Sequence, residues 1–163
     1  MRVSPSSSSA PATSAGPRPR RSRAVAAEVA LVDDPSPDDR AAILRGLVAF
    51  NDERFGPSDI RPLAVLLRDE AGETIGGLWG RTTYGWLYVE LLFVPEGLRG
   101  RGLGARLLAE AERAAAERGA TNAWIDCFGQ VNRDVYVRCG YEVFGALPGM
   151  PPGETRYFLK KAL

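Results

Sequence analysis

Apolar positions along the chain follow two periods, and the changes between them mark the elements. The run Trp86-Leu-Tyr-Val-Glu-Leu-Leu-Phe-Val94 reads as a strand, with Leu87, Val89, Leu91 and Phe93 on one apolar face and Trp86, Tyr88 and Glu90 on the other. Leu63 to Leu67 is a second apolar strand, and Thr74 to Thr83 a third, thinned by Gly76, Gly77 and Gly80. Asp69-Glu-Ala-Gly72 and Tyr84-Gly85 are the turns between them, and connections this short make an antiparallel meander. From Leu103 the period becomes 3.6: Leu103, Leu107, Leu108, Ala111, Ala114 and Ala115 share one side, Arg106, Glu110, Arg113 and Glu117 pair on the other, and Gly119 ends the helix. Ala123 to Phe128 follows this crossover helix, so it is expected to lie parallel to Trp86 to Val94.

Upstream, Val25 to Val32 reads as a first strand. Ser36-Pro-Asp-Asp39 then starts a helix running to about Asp52, with a capping hydroxyl, a proline at the first helical position and carboxylates in the first turn. Downstream, Asn132 to Cys139 is a short helix closed by Gly140. Tyr141 to Leu147 and Thr155 to Leu159 are the last strands, joined by Pro148-Gly-Met-Pro-Pro-Gly153. The fold class that follows is mixed α/β: a central, mostly antiparallel sheet of six to seven strands with one parallel pair, and helices on both faces.

Between the apolar strand and the second helix stands Arg99-Gly-Arg-Gly-Leu-Gly104. A strand, a glycine-rich turn with arginines and a helix N-terminus form an anion cradle, because bare N–H groups point at the ligand and glycine removes the Cβ that would keep it away. Gly100, Gly102 and Ala105 also satisfy a dinucleotide pattern, with Asp126 as its ribose-binding acid. Against that, Pro95-Glu-Gly-Leu-Arg99 separates strand from glycine, and the preceding strands are a meander. No Gly-Lys-Ser/Thr sequence occurs, so the Walker pattern fails.

Charge and composition narrow the chemistry. Residues 1 to 23 hold five arginines and no acid, which leaves a body with 16 basic and 20 acidic residues, net −4. Such a body is a poor partner for nucleic acid and an attractive one for a cationic small molecule. Without histidine, and with Cys127 and Cys139 in no metal spacing, a metal site and a histidine-activated nucleophile are not expected. Both cysteines suit buried thiols in a reducing cytoplasm. The Ser-, Pro- and Arg-rich residues 1 to 23 are expected to be a disordered extension ahead of one domain over residues 24 to 163. Arg20-Arg21 is not followed by an export-signal core, the prolines oppose a transit peptide, and no membrane span is expected.

In strand order and in this turn, the chain from about Val25 to Leu163 resembles the GNAT N-acetyltransferase superfamily. That family's central motif of Arg or Gln, two residues, Gly, one residue, then Gly or Ala falls on Arg99, Gly102 and Gly104, after Val94-Pro95-Glu96. Its later tyrosine, four residues before Gly-Phe or Gly-Tyr, falls on Tyr136 ahead of Gly140-Tyr141. The resemblance implies a pyrophosphate of acetyl-CoA wrapped by Arg99, Gly100, Arg101, Gly102, Leu103 and Gly104. It also implies a parallel pair splayed so that pantetheine meets backbone, with N–H groups at Leu92, Phe93 and Val94 polarising the thioester carbonyl. An Asn that relatives often carry seven residues before the tyrosine is Gly129 here, with Asn132 as the substitute for that CoA contact.

Direct acyl transfer to an amine needs a neutral amine, a polarised carbonyl and a protonated leaving thiolate. Glu90 is the candidate base, acting through water, because a mid-strand carboxylate is costly unless it meets water or a ligand. The alternative is a glutamate on a solvated face or paired with an arginine. Tyr136 matches the family's proton donor to the CoA sulfur, against a tyrosine that merely packs its helix. Asp52, Glu53, Tyr84 and Tyr88 are acceptor-side candidates, with Asp59, Met150, Glu154 and Arg156 behind them.

The function expected is transfer of an acetyl group to an amine of a small, cationic molecule in a ternary complex. The rivals are an acyl-CoA-binding regulatory domain without turnover and a protein lysine or N-terminal amine acetyltransferase; DNA binding through Arg18 to Arg23 is a third, opposed by the acidic body. Expected partners are the amine acceptor and, as an option, a second copy in a homodimer, with no nucleic acid and no membrane.

Overall fold

The computed structural model describes residues 27–163. The elements are α1 (Pro37–Phe55), β1 (Arg61–Arg68), β2 (Thr74–Thr83), β3 (Trp86–Phe93), a 3-10 turn at Glu96–Leu98, α2 (Leu103–Glu117), β4 (Asn122–Phe128), α3 (Gly129–Arg138), β5 (Glu142–Pro148) and β6 (Thr155–Ala162). Six strands form one sheet in the order β1-β2-β3-β4-β6-β5, with β3 and β4 the only parallel neighbours in it. The meander, the crossover and the parallel pair stand where the apolar pattern put them.

Two parts of the pattern come out differently. Residues 27–32 are not a strand: they pair with nothing among the described residues and are exposed, Val29 and Leu31 almost completely. Apolar composition makes a segment suited to a strand, but a strand needs an edge beside it to take its N–H and C=O groups. The rest of that expected strand, and the extension over residues 1 to 23, lie outside the described residues.

The second difference concerns α1. Its start is as expected, since the Asp39 N–H donates to the Ser36 hydroxyl at 3.1 Å and the Ser36 N–H donates back to the Asp39 carboxylate at 2.9 Å. It runs three residues past Asp52, ends at Gly56 and buries no side chain. The helices that do pack, α2 and α3, share one face, so the other face carries no packed helix among the described residues.

The core lies under α2. Leu107, Leu108, Ala111 and Ala115 pack on Leu63, Leu78, Leu87, Val89 and Ile125, and Tyr136 of α3 joins the same cluster. Each large aliphatic side chain buried there contributes about 1.5–3 kcal/mol.

A bulge in β3 decides what the sheet presents beyond this core. Trp79 of β2 pairs with Leu91 and Gly80 pairs with Val89, so Glu90 is an extra residue in the ladder. One extra residue exchanges the faces of everything after it. Leu87 and Val89 are buried against the helices, whereas Leu91 and Phe93 are 66% and 55% exposed, and Leu92 takes the helix side beside Gly104. The expected single apolar face of Leu87, Val89, Leu91 and Phe93 is therefore broken at Glu90.

A forked sheet as the candidate active site

The parallel pairing of β3 and β4 runs from Trp86 with Asn122 to Val89 with Ile125 and stops there. Both strands continue, β3 to Phe93 and β4 to Phe128, so the sheet forks after Val89 and Ile125. Along the fork the inner edge of each strand offers N–H and C=O groups with no partner across the gap. A cleft of about 1320 Å³ fills it, walled by Leu91, Leu92 and Phe93 on one side, Cys127 and Phe128 on the other, and the turn before α2 at its end.

That turn is shaped by two glycines. Gly100 and Gly102 have φ of +74° and +73°, values that cost a residue with a Cβ about 1–2 kcal/mol. Gly102 is the N-cap of α2 and supplies no side chain, so the first N–H groups of this 15-residue helix are left for an anion. Arg99 folds back so that its Nε donates to the Val94 carbonyl at 3.0 Å, which ties the turn to the end of β3.

Glu90 and Asp126 are the first residues past the fork on their strands, and each is held by an arginine. Glu90 pairs with Arg81, and the Arg156 Nε donates to Asp126 at 2.7 Å. Between them the rings of Tyr88 and Trp124 stack at 3.9 Å, with the Arg81 guanidinium 5.0 Å from the centre of the Tyr88 ring. Burial first, then the carboxylates of Asp126 and Glu90, push the Tyr88 hydroxyl above its ordinary pKa, so it stays a protonated donor. This charged and aromatic group lies on the sheet face away from α2.

On the helix side, Tyr136 borders the cleft and packs edge-on against Tyr141, ring centres 6.3 Å apart. Burial pushes its hydroxyl up to about 12 and the Cys127 thiol up to about 11, so both are neutral near pH 7. Asn132 donates its amide to the Phe128 carbonyl at 2.8 Å, at the first turn of α3.

The fork brings together most of the residues singled out from sequence. Tyr88, Glu90, Leu92, Phe93, Val94, Arg99, Gly100, Gly102, Leu103, Gly104, Asn132, Tyr136 and Arg156 all border the cleft, whereas Arg101 is exposed beside it and does not. Asp52 and Glu53 sit on α1, away from the cleft. Tyr84, at φ +48°, lines a separate hollow of about 250 Å³ at the opposite end of β3. Asp126 was legible only as part of a dinucleotide pattern, and its place at the fork was not. The signal was its register in the strand after the crossover, two residues short of the strand's end. Among the described residues, no group of three or more His, Cys, Asp and Glu side chains stands together as metal ligands, and no helix is long and apolar enough to cross a membrane.

Residues 30–141 match the model of the acetyltransferase (GNAT) family. The chain is 43% identical over 120 residues to acetyltransferase Atu2258 of Agrobacterium fabrum, covering 74% of this chain and 88% of that one. It is 38% identical over 130 residues to the blasticidin-S acetyltransferase of Streptomyces morookaense, covering 77% and 92%. A solved Agrobacterium tumefaciens structure assigned to the acetyltransferases superposes with a TM-score of 0.80 at 39% identity, over 84% of this chain and all of that one.

Proposed function

The chain belongs to the acetyltransferase (GNAT) family, and from that premise we propose that it moves an acetyl group from acetyl-CoA to the amine of a small cationic molecule by direct attack. The observation that carries the proposal is the fork itself. A slot through the sheet, with a free helix N-terminus at one end and arginine-held carboxylates at its apex, gives a donor and an acceptor separate approaches to one point.

The residues fit acetyl-CoA by their own chemistry. The backbone N–H groups from Gly100 to Gly104 would take the pyrophosphate, with Arg99 and Arg101 at its flanks. The unpaired inner edge of β3 from Leu91 to Val94 offers donors and acceptors to an extended pantetheine amide chain and an N–H to the thioester oxygen. On the opposite face the acceptor amine meets Glu90 and Asp126, each already paired with an arginine, beside the aromatic pair Tyr88 and Trp124.

Transfer then requires three things of the chain. Glu90 takes a proton from the acceptor ammonium, directly or through one water, and leaves the amine lone pair free. The amine nitrogen bonds to the acyl carbon while β3 N–H groups hold the oxygen, the nitrogen gives up its second proton to water, and the C–S bond breaks. Tyr136, kept protonated by its buried position, gives its proton to the departing sulfur and is later reprotonated from solvent. The net −4 body favours a cationic acceptor, and the antibiotic named for the Streptomyces relative makes small-molecule amines the first class to try.

The test is release of CoA thiol with acetyl-CoA across a panel of polyamines, amino-sugar antibiotics, nucleoside antibiotics, amino acids and lysine peptides. Turnover with a small cationic amine is the expected result. No turnover with any amine, while acetyl-CoA binds, would leave a donor-binding domain without transfer; turnover confined to peptides would move the acceptor to protein amines.

Two variants probe the donor half. Gly102→Ala places a Cβ at φ +73° on the helix N-cap, and we expect it to lower stability by about 1–2 kcal/mol and to raise the Kd for CoA about tenfold or more. Calorimetric titration with CoA, beside a thermal melt, separates the two effects. Tyr136→Phe should leave that Kd unchanged and lower kcat about 10- to 100-fold, the lower range of a lost general acid. An unchanged kcat would make Tyr136 a packing residue alone.

A further inference from the structure

Two buried side-chain polar atoms among the described residues have no hydrogen-bond partner, the Glu112 Oε1 and the Tyr141 hydroxyl. Neither residue borders the cleft, but both belong to one cluster that reaches it through Tyr136. Tyr141 stands between Gly140 and β5 and is 2% exposed. Its ring meets the Tyr136 ring edge-on, and its N–H donates to the Tyr136 carbonyl at 3.1 Å. Tyr136 is thus touched by this one residue at both its ring and its backbone.

Glu112 comes from α2, with its side chain 13% exposed, and the Lys161 ammonium of β6 donates to its Oε2 at 2.6 Å. The Lys161 stem passes Gly140, where a Cβ would lie 3.5 Å from its Cε, and its ammonium is 5.6 Å from the centre of the Tyr141 ring. With one oxygen bonded to an ammonium, the buried carboxylate keeps the other as an acceptor, and a buried phenol is a donor. The two groups stand close enough to act on each other: burial first, then the Glu112 carboxylate, push the Tyr141 hydroxyl well above its ordinary pKa, so its proton stays in place. A buried donor and a buried acceptor are costly apart and satisfied together.

We propose that Tyr141 is the positioning residue for Tyr136: its hydroxyl donates to the Glu112 Oε1, and Glu112, anchored by Lys161, fixes the ring against which the Tyr136 ring is set toward the cleft. The support comes from three elements, α2, the start of β5, and β6, while Tyr136 itself is on α3. The helix that opens at the glycine turn therefore also carries, further along, the carboxylate that holds the candidate proton donor in register with it. None of the three supporting side chains touches a reacting atom. The inference rests on the reading of Tyr136 as the acid that protonates the CoA sulfur.

Two measurements test it. The first reads the link and needs no acceptor: in thermal melts, Tyr141→Phe and Glu112→Met should each lower Tm by at least about 3 °C, and the double variant should melt close to Glu112→Met alone, because the same bond is lost only once. A double variant whose loss equals the sum of the two would overturn the link. The second reads the positioning through kcat with an amine acceptor, beside the Kd for CoA. Tyr141→Phe keeps the ring and should lower kcat about three- to tenfold at an unchanged Kd. In a Tyr136→Phe background the same change should lower kcat less than about twofold, a result that general loosening of the fold does not give. An equal fall in both backgrounds, or no fall in Tyr141→Phe while Tyr136→Phe falls, would overturn the positioning and leave the acid role standing. An unchanged kcat in Tyr136→Phe would remove the acid role, and the positioning with it.

Discussion

Glu90→Gln is expected to lower kcat by about 10²–10⁴-fold while changing the Kd for acetyl-CoA little, because a general base acts on the proton and not on the donor. That range corresponds to about 3–5.5 kcal/mol of transition-state stabilisation. The glutamine keeps the shape and can still accept from the Arg81 guanidinium, so the bulge and the pair's position are largely retained. What it loses is the ability to take a proton. The variant's rate should also recover partly as pH rises, since an acceptor already neutral in solution no longer needs a base. Rates from pH 7 to 10 with one amine, together with a CoA titration, check both points. A kcat within threefold of the wild type would assign Glu90 to its ion pair alone.

Asp126→Asn is the comparison that gives this result meaning. Asp126 stands at the same level of the fork on β4 and is held as firmly, by Arg156 at 2.7 Å. If an arginine-held carboxylate anywhere at the fork were enough, the two variants would fall together. If position decides, Glu90→Gln falls in kcat, and Asp126→Asn shows mainly in KM for a cationic acceptor.

Most of the fork was legible in the sequence because local rules act there. The short turns fixed the meander, the crossover helix fixed the parallel pair, and Arg99 to Gly104 marked the helix N-terminus by composition alone. What was not legible depends on counting residues between strands. An alternation read along β3 put Leu91 and Phe93 with Val89, and nothing in β3 itself shows that Gly80 faces Val89 and leaves Glu90 over. The same limit applies to residues 27–32, where apolar pattern cannot say whether an edge lies within reach. It applies also to α1, whose cap and length are local but whose packing is not. Asp126 and Arg156 meet across 30 positions of sequence, through the pairing of β4 with β6.

Gly80→Ala is expected to be strongly destabilising, and it tests the bulge directly. A Cβ on Gly80 would collide with the Tyr88 carbonyl oxygen and come within 3.3 Å of the Val89 Cα. Both neighbours are backbone held in the β2–β3 ladder, so no rotamer change relieves the contact. The chain can spread the strands, losing ladder hydrogen bonds beside buried Leu78 and Leu87, or shift the register and return Glu90 to the ladder. Either way a cost of about 3 kcal/mol or more is expected, the upper range for overpacking, and with it a fall in Tm of roughly 10 °C. Gly97→Ala is the control, since its Cβ would meet nothing within 4 Å, and it should stay within about 0.5 kcal/mol of the wild type. Thermal melts of the two variants side by side decide the matter. If they melt together, Gly80 does not face a fixed carbonyl, the bulge is not where the register puts it, and Glu90 loses the geometry that sets it at the apex of the fork. If Gly80→Ala melts early and the protein that remains folded has also lost turnover, one glycine on β2 is holding the candidate base on β3 in place.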